Sequence, residues 1–158
     1  MLALGKNRKA NLLDRNGLGG IGGQLAAETV SELQIITSPV TYPVGDDIFV
    51  AFQAPGAHCP QPVGRYQLTV LKIAAAAPPT ITTAWCGALR GGGSAIVTTT
   101  DGHSNQIGWV LGQSTARVPR RYRRADICQR ALKRLRHLQT LIAAQDRLYV
   151  GADGHLCV

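Results

Sequence analysis

Apolar and polar residues alternate along much of the chain in short runs separated by turns. Three stretches share one order: a small hydroxyl residue, a short apolar run, a polar turn, and a second apolar or aromatic run. They are "SPVTYPVGDDIFVAF" (38–52), "SAIVTTTDGHSNQIGWVL" (94–111) and "TLIAAQDRLYVGA" (140–152). A period of two is typical of half-buried β-strands. We therefore predict a hairpin in each stretch, with second strands beginning near Ile48, Ile107 and Leu148.

The spacing of these hairpins indicates a repeated unit of four antiparallel strands. The second strands start 59 and 41 residues apart, and a blade of a β-propeller occupies roughly 40–50 residues. Apolar runs at 46–52, 66–73 and 79–85 complete one unit between about 35 and 85. We predict an all-β fold: one incomplete β-propeller region over 1–158, with about two full four-stranded blades plus partial blades. Because closed propellers have roughly 4–8 blades, we expect the chain to be a fragment of one.

A second pattern relates the beginning of the chain to its end. The stretches "LGKNRKANL" (4–12) and "VGADGHLCV" (150–158) align position for position, each as a strand, a two-residue polar turn and a strand. Asn and Asp-Gly suit tight hairpins because they tolerate positive φ. With their flanking residues, "LGKNRKANLLDR" and "DRLYVGADGHLCV" resemble the repeats of quinoprotein-type propellers, the pyrroloquinoline-quinone-like repeat family. Asp14 takes the place of that repeat's closing Asp.

This resemblance covers most of 1–112 and 138–158, and it implies a binding or scaffold module in the periplasm or outside the cell. The family also contains dehydrogenases, so the alternative it implies is part of a pyrroloquinoline quinone-dependent dehydrogenase with calcium. The family's Asp–Thr-Gly turn followed by a Trp is not intact here. "LLDRNGLGG" has Asp14 and Gly17 but no Trp at the expected spacing. We therefore assign no calcium- or quinone-binding residue, and no cofactor is evident from the residues alone.

The positive charge of the chain is concentrated in one segment. The formal net charge is +8; residues 117–136 hold nine Lys or Arg and one acid, whereas the other 138 residues hold eight of each sign. Strand alternation stops within 113–137. Three interpretations stay open: an Arg-rich insert that is a solvated loop, a stretch translated out of frame, or a basic amphipathic helix near 125–144. The helix would place on one face Ile127, Ala131, Leu135, Leu138 and Leu141/Ile142.

The same segment suggests non-specific nucleic-acid binding as a further alternative function. Arginines neutralise phosphates and release counterions, which gives affinity without sequence readout. The candidate phosphate contacts are Arg117, Arg120, Arg121, Arg123 and Arg124. Tyr122 is the only aromatic residue among them, too few for the stacking surface of a single-strand binder. A solvated basic surface is therefore preferred, and a protein partner or further blades are expected rather than nucleic acid.

The four cysteines show no CxxC spacing, which argues against a zinc site. They are Cys59, Cys86, Cys128 and Cys157. An even number permits disulfides in an oxidising compartment. Cys59 with Cys86 is the candidate pair because both flank the same predicted blade, and free thiols are the preferred alternative.

The remaining candidate sites rest on few residues. Asp101 and His103 form a polar pair that suits acid–base chemistry, although turn formation alone explains "DGH". His58 beside Cys59 offers two metal ligands without a third in the neighbouring sequence. The Gly-rich stretches 16–24 and 90–94 lack the Lys-Ser/Thr ending of a phosphate-binding loop. The chain has no apolar run of ~18 residues that would span a membrane, and its beginning does not read as a signal peptide.

Overall fold

The computed structural model describes residues 1–60, 67–89, 93–99, 105–111, 141–152 and 155–157. Within these residues the protein is entirely β, and every strand pairing is antiparallel, which confirms the predicted all-β class. The strands are β1 (Leu2–Leu4), β2 (Lys9–Leu12), β3 (Ala26–Thr29), β4 (Val40–Val44), β5 (Asp47–Gln53), β6 (Gln67–Ala74), β7 (Thr80–Ala88), β8 (Ile96–Thr98), β9 (Ile107–Trp109), β10 (Leu141–Ala144), β11 (Arg147–Ala152) and β12 (His155–Cys157).

The strands form four sheets in chain order. The first sheet is β1-β2-β3, the second is β4-β5-β6-β7, the third is β8-β9 and the fourth is β10-β11-β12. The four-stranded second sheet fits a propeller-like blade and spans 40–88, close to the predicted 35–85. The predicted second full blade is represented in the described residues by the two strands of the third sheet. The described strands form no closed barrel.

Tight turns connect the strands of the first and third predicted hairpins. Gly45 (φ +60°) follows β4, and Gln145 and Asp146 (φ +49° and +59°) connect β10 to β11. Positive φ at the central residues matches the right-handed twist of the flanking strands. The second strands begin at Asp47, Ile107 and Arg147, within one residue of the predicted starts.

The C-terminal end of the helix predicted near 125–144 is a strand in the structure, so this part of the prediction was wrong. Leu141–Ala144 is strand β10, in which Leu141 lies opposite Val150. These two side chains are 4% and 0% exposed, and such burial on one sheet face follows strand alternation. The apolar spacing at 138–142 fits a helix and a strand equally well, and tertiary packing selects the strand. Residues 125–140 lie outside the described residues.

Two further differences concern the first sheet. The predicted two-residue turn within 4–12 is a four-residue connection, Gly5 to Arg8, in which Arg8 N donates to Gly5 O at 3.0 Å. Strand β3, Ala26–Thr29, was not predicted. Its sequence "AAET" has no clear alternation, and it is a strand because it pairs in register with β2 from Lys9 to Leu12.

The sheets stack face to face. The first core lies between the first and second sheets and is centred on Val50, Phe52, Leu71 and Ile81 with Ala10. The second core lies between the third and fourth sheets and consists of Leu111, Leu141 and Val150, with Ile96 and Trp109 packed against it. Strand β4 contacts β8, and β8 contacts β10. The leading strands of the second, third and fourth sheets therefore adjoin one another, whereas the first sheet contacts the second through β3 and β7.

Candidate functional site

A β-bulge in β7 decides which face of the second sheet carries Trp85. Ile81 packs in the first core, and strict alternation would place Trp85 on the same side. The register instead shifts between Val70 and Leu71, so that Ala84 is an extra residue and Trp85 lies opposite Val70. Because a bulge redirects the side chains that follow it, Trp85 faces away from the first core.

The face that carries Trp85 forms one wall of an apolar groove, and the third sheet with its flanking residues forms the other. The groove encloses about 170 Å³. The second sheet contributes Val40, Tyr42, Val44, Ala51, Leu68 and Trp85. The opposite wall contributes Ala95, Val97, Gln106, Gly108, Trp109 and Val110. These described lining residues carry no formal charge at neutral pH, so the part of the groove that they form suits an uncharged group.

The aromatic residues around the groove are held by contacts in the sheets. Tyr42 stacks on Phe49 of the neighbouring strand, with ring centroids 5.7 Å apart and planes inclined by 22°. The Nε1 atom of Trp109 donates a hydrogen bond to Thr98 Oγ1 at 2.8 Å. Gly87 lies beside Trp85, where an added Cβ would be 3.3 Å from Cζ3 of the indole. The rings of Tyr42 and Trp85 therefore line the second-sheet wall in fixed orientations, whereas the ring of Trp109 packs against the second core behind the other wall.

Gly108 has no side chain, so the space next to it at the third-sheet wall of the groove is unfilled. It lies opposite Val97 on β8, and a Cβ built at this position would meet nothing within 4 Å. A larger side chain at Gly108 can therefore be introduced without a steric conflict at its first carbon. This position offers a direct way to fill the groove.

Polar groups lie near the two ends of the second-sheet wall. Lys72 Nζ and Asp47 Oδ2 form an ion pair at 2.8 Å, and Asp47 lies opposite Val44 in the strand register. Two residues beyond Ala51 on the same strand is Gln53, which is 5% exposed. Neither amide atom of Gln53 has a hydrogen-bond partner in the described part of the chain. A partly exposed ion pair therefore lies beyond one end of this wall, and a buried amide lies beyond the other.

A disulfide joins Cys59 to Cys86, with Cα atoms 5.6 Å apart and a sequence separation of 27 residues. These are the two cysteines paired in the sequence analysis, and in the structure their thiols are not free. Cys86 lies opposite Thr69, on the face of the second sheet that packs against the first. The cross-link therefore lies on the opposite side of the sheet from the groove.

The loop that carries Cys59 is fastened at several points. Thr69 Oγ1 donates to Ala54 O at 2.7 Å, and Ser31 Oγ donates to Pro55 O at 3.0 Å. A Cβ at Gly56 would lie 2.5 Å from Cys59 Sγ and 2.9 Å from Thr69 Oγ1. Only a glycine allows the loop to approach this closely, so the disulfide closes a tightly packed end of the second sheet.

The other sequence-derived candidates are not assembled into a site by the described residues. Asp101 and His103 lie outside them, as do Arg117, Arg120, Arg121, Arg123 and Arg124. His58 is exposed, and because Cys59 is oxidised, these two neighbours do not form a His–thiolate ligand pair. Sequence reasoning did not identify the groove, because the bulge that turns Trp85 toward it leaves no recognisable signal in the residues.

The described residues contain no group of three or more His, Cys, Asp or Glu side chains placed to hold a metal ion. Among the described residues that line the groove there is neither a carboxylate for calcium nor a Lys or Arg for the carboxyl groups of pyrroloquinoline quinone. The described lining therefore does not fit that cofactor. No helix in the described part of the chain has the length and apolar character needed to cross a membrane.

Comparison with known proteins identifies no relative: no protein-family model, no curated protein and no solved structure matches this chain.

Proposed function

We propose that this chain is a binding or scaffold module of propeller-like blades, and that its inter-sheet groove accepts an uncharged aromatic or aliphatic group of a partner. The observation that carries the proposal is the groove itself: about 170 Å³ between two sheets, with aromatic residues and no formally charged residue among its described lining. Apolar concavities with a few polar groups at their margins are the usual form of binding sites. The resemblance to quinoprotein-type repeats supports the same function.

The chemistry of the groove favours binding over catalysis. Its described lining offers Tyr42 and Gln106 as the side chains with hydrogen-bonding groups other than the indoles. Among these described residues there is no paired acid and base of the kind that most enzymes use. The module is proposed to function in the periplasm or outside the cell, and the Cys59–Cys86 disulfide supports this because such bonds persist in oxidising compartments.

The test uses Trp85 as a reporter. The chain contains two tryptophans, so Trp109→Phe leaves Trp85 as the only one, in the groove wall. The probe is N-acetyl-phenylalaninamide, which is uncharged, carries an aromatic ring and does not absorb at 295 nm. We expect a saturable change in Trp85 emission with a Kd of about 1 mM, the affinity typical of a ligand this small. N-acetyl-glutaminamide, the polar analogue, should produce no saturable change.

Two glycine substitutions in the Trp109→Phe protein distinguish binding in the groove from a general effect of placing a leucine on the surface. Gly108→Leu fills the groove and should weaken probe binding at least tenfold. Gly17→Leu is the matched control, because an added Cβ there also meets nothing within 4 Å and the position lies in the exposed loop between β2 and β3. The groove is not a binding site if the Trp109→Phe protein shows no saturable emission change. The same conclusion follows if Gly108→Leu binds the probe as tightly as the Trp109→Phe protein does.

A further inference from the structure

Gln53 carries a buried side-chain amide that makes no hydrogen bond with the described part of the chain. The residue is 5% exposed, and neither Nε2 nor Oε1 has a partner among the described residues. The backbone of Gln53, by contrast, is bonded at both polar groups: Thr37 Oγ1 donates to Gln53 O at 3.1 Å and accepts from Gln53 N at 3.3 Å. An amide removed from water without a partner is costly, so this side chain requires an explanation beyond packing.

The strand register places this side chain on the groove face of the second sheet. Phe52 and Ala54 both lie in the first core, so Gln53 between them faces the other way. Leu68 lies directly opposite Gln53, and Ala51 is the neighbour of Gln53 on the same face of β5; both line the groove. Two residues along a strand span about 7 Å, which a glutamine side chain and one hydrogen bond can cover together.

The end of the groove next to Gln53 is covered by residues that connect its two walls. Thr37, which holds the backbone of Gln53, is buried, as is Ser94. Ser38 N donates to Ser94 Oγ at 3.0 Å, and the residue that follows, Ala95, lines the groove. Gln53 therefore lies at a covered end of the groove, where an occupant of the apolar space meets an amide that is shielded from bulk water.

We propose that the groove binds an extended peptide segment of a protein partner. An apolar side chain of the segment fills the groove, and the backbone N–H and C=O of the same residue pair with the side-chain amide of Gln53. The inference rests on the proposed function and names the chemistry of the partner. The N–H and C=O of an extended residue lie on the same side of the chain, as in a hydrogen-bonded strand pair. When its side-chain bonds rotate toward the groove, Gln53 donates from Nε2 to the C=O and accepts the N–H at Oε1.

The test compares two probes that differ in one group. They are N-acetyl-phenylalaninamide and its ester analogue 2-acetoxy-3-phenylpropanamide, in which an oxygen replaces the phenylalanine N–H. Binding is followed by Trp85 emission in the Trp109→Phe protein. The ester should bind about tenfold more weakly, because it leaves Oε1 of Gln53 unpaired. Gln53→Met keeps the length of the side chain and removes its amide, so this variant should bind the two probes equally within about twofold.

Gln67→Met is the matched control. Gln67 is also 5% exposed, but it lies on the other face of the second sheet, where its Oε1 is 3.1 Å from Cys59 Sγ. Its variant should keep the preference for the amide probe. Urea midpoints establish that each variant is folded, and the comparison of the two probes on the Trp109→Phe protein needs no change at Gln53.

The outcomes separate this inference from the proposed function. Equal binding of the two probes to the Trp109→Phe protein overturns the inference and leaves the groove a site for an apolar group alone, such as a lipid chain. A preference for the amide that persists in Gln53→Met overturns it too, because another group then recognises the N–H. Loss of the preference in Gln67→Met has the same consequence. If neither probe binds, the proposed function itself fails.

Discussion

Removing the disulfide between Cys59 and Cys86 is expected to destabilise the protein substantially. In the native state the cross-link holds the end of the second sheet, where the loop carrying Cys59 packs on Thr69 through Gly56. Its largest effect is on the unfolded chain, since a closed loop has fewer conformations than an open one. Replacing both cysteines with alanine frees those conformations and lowers the free energy of unfolding.

The magnitude follows from the length of the closed loop. The two cysteines are 27 residues apart, and the chain-entropy relation for a loop of that length gives about 3.5 kcal/mol at 25 °C. A small domain has a total stability of about 5–15 kcal/mol. The variant should therefore lose a quarter to two thirds of its stability, and its urea midpoint should fall by about 2 M for a slope of about 1.5–2 kcal/mol per molar urea.

Equilibrium urea unfolding followed by tryptophan emission measures this loss. Wild-type protein with dithiothreitol should match the double-alanine variant, and dithiothreitol should not change the variant further. The second comparison separates this bond from any effect of reductant on Cys128 and Cys157. A loss below about 1 kcal/mol, with unchanged slope, would refute the argument that the closed loop stabilises the fold.

Three further substitutions test the packing described above. Gly56→Ala should cost about 1–3 kcal/mol in urea unfolding, because the new Cβ overlaps Cys59 Sγ, and the cost should fall in the double-alanine background. Phe52→Ala should cost about 3–5 kcal/mol by the same assay, since Phe52 is fully buried in the first core. Lys72→Met should cost less than about 1 kcal/mol, and the difference from wild type should shrink in 1 M NaCl, because the ion pair with Asp47 is partly exposed to solvent.

The alternation of apolar and polar residues correctly predicted most strands of the three hairpins and of the second sheet. The strands could be predicted because each one buries a single face. Buried residues such as Val50 and Phe52 therefore alternate in the sequence with residues of the other face. The patterns were less informative where a segment becomes a strand only because it pairs with a neighbouring strand. Strand β3 has no alternation of its own, and the apolar residues around Leu141 fit a helix as well as the observed strand.

The candidate site was much less predictable than the fold. The strand pattern made Cys59 with Cys86 the candidate pair because both flank one predicted blade, but free thiols were preferred and only the structure joins the two residues. Predicting the groove would have required knowledge of the bulge at Ala84. This bulge turns Trp85 to the other face of the sheet and produces no signature in the sequence. The second wall of the groove comes from residues ten or more positions further along the chain, and strand alternation does not report which sheets become neighbours.

The sequence by itself determined the all-β class, the hairpins and their turns, because these depend on residues close together in the chain. Side-chain period and turn chemistry act locally and can be recognised in the printed letters. Only the tertiary structure decided that the sheets stack in chain order and that a groove, whose described lining is uncharged, opens between the second and the third. Those features arise from contacts between distant residues, where packing and register select among conformations that local preferences leave nearly equal in free energy.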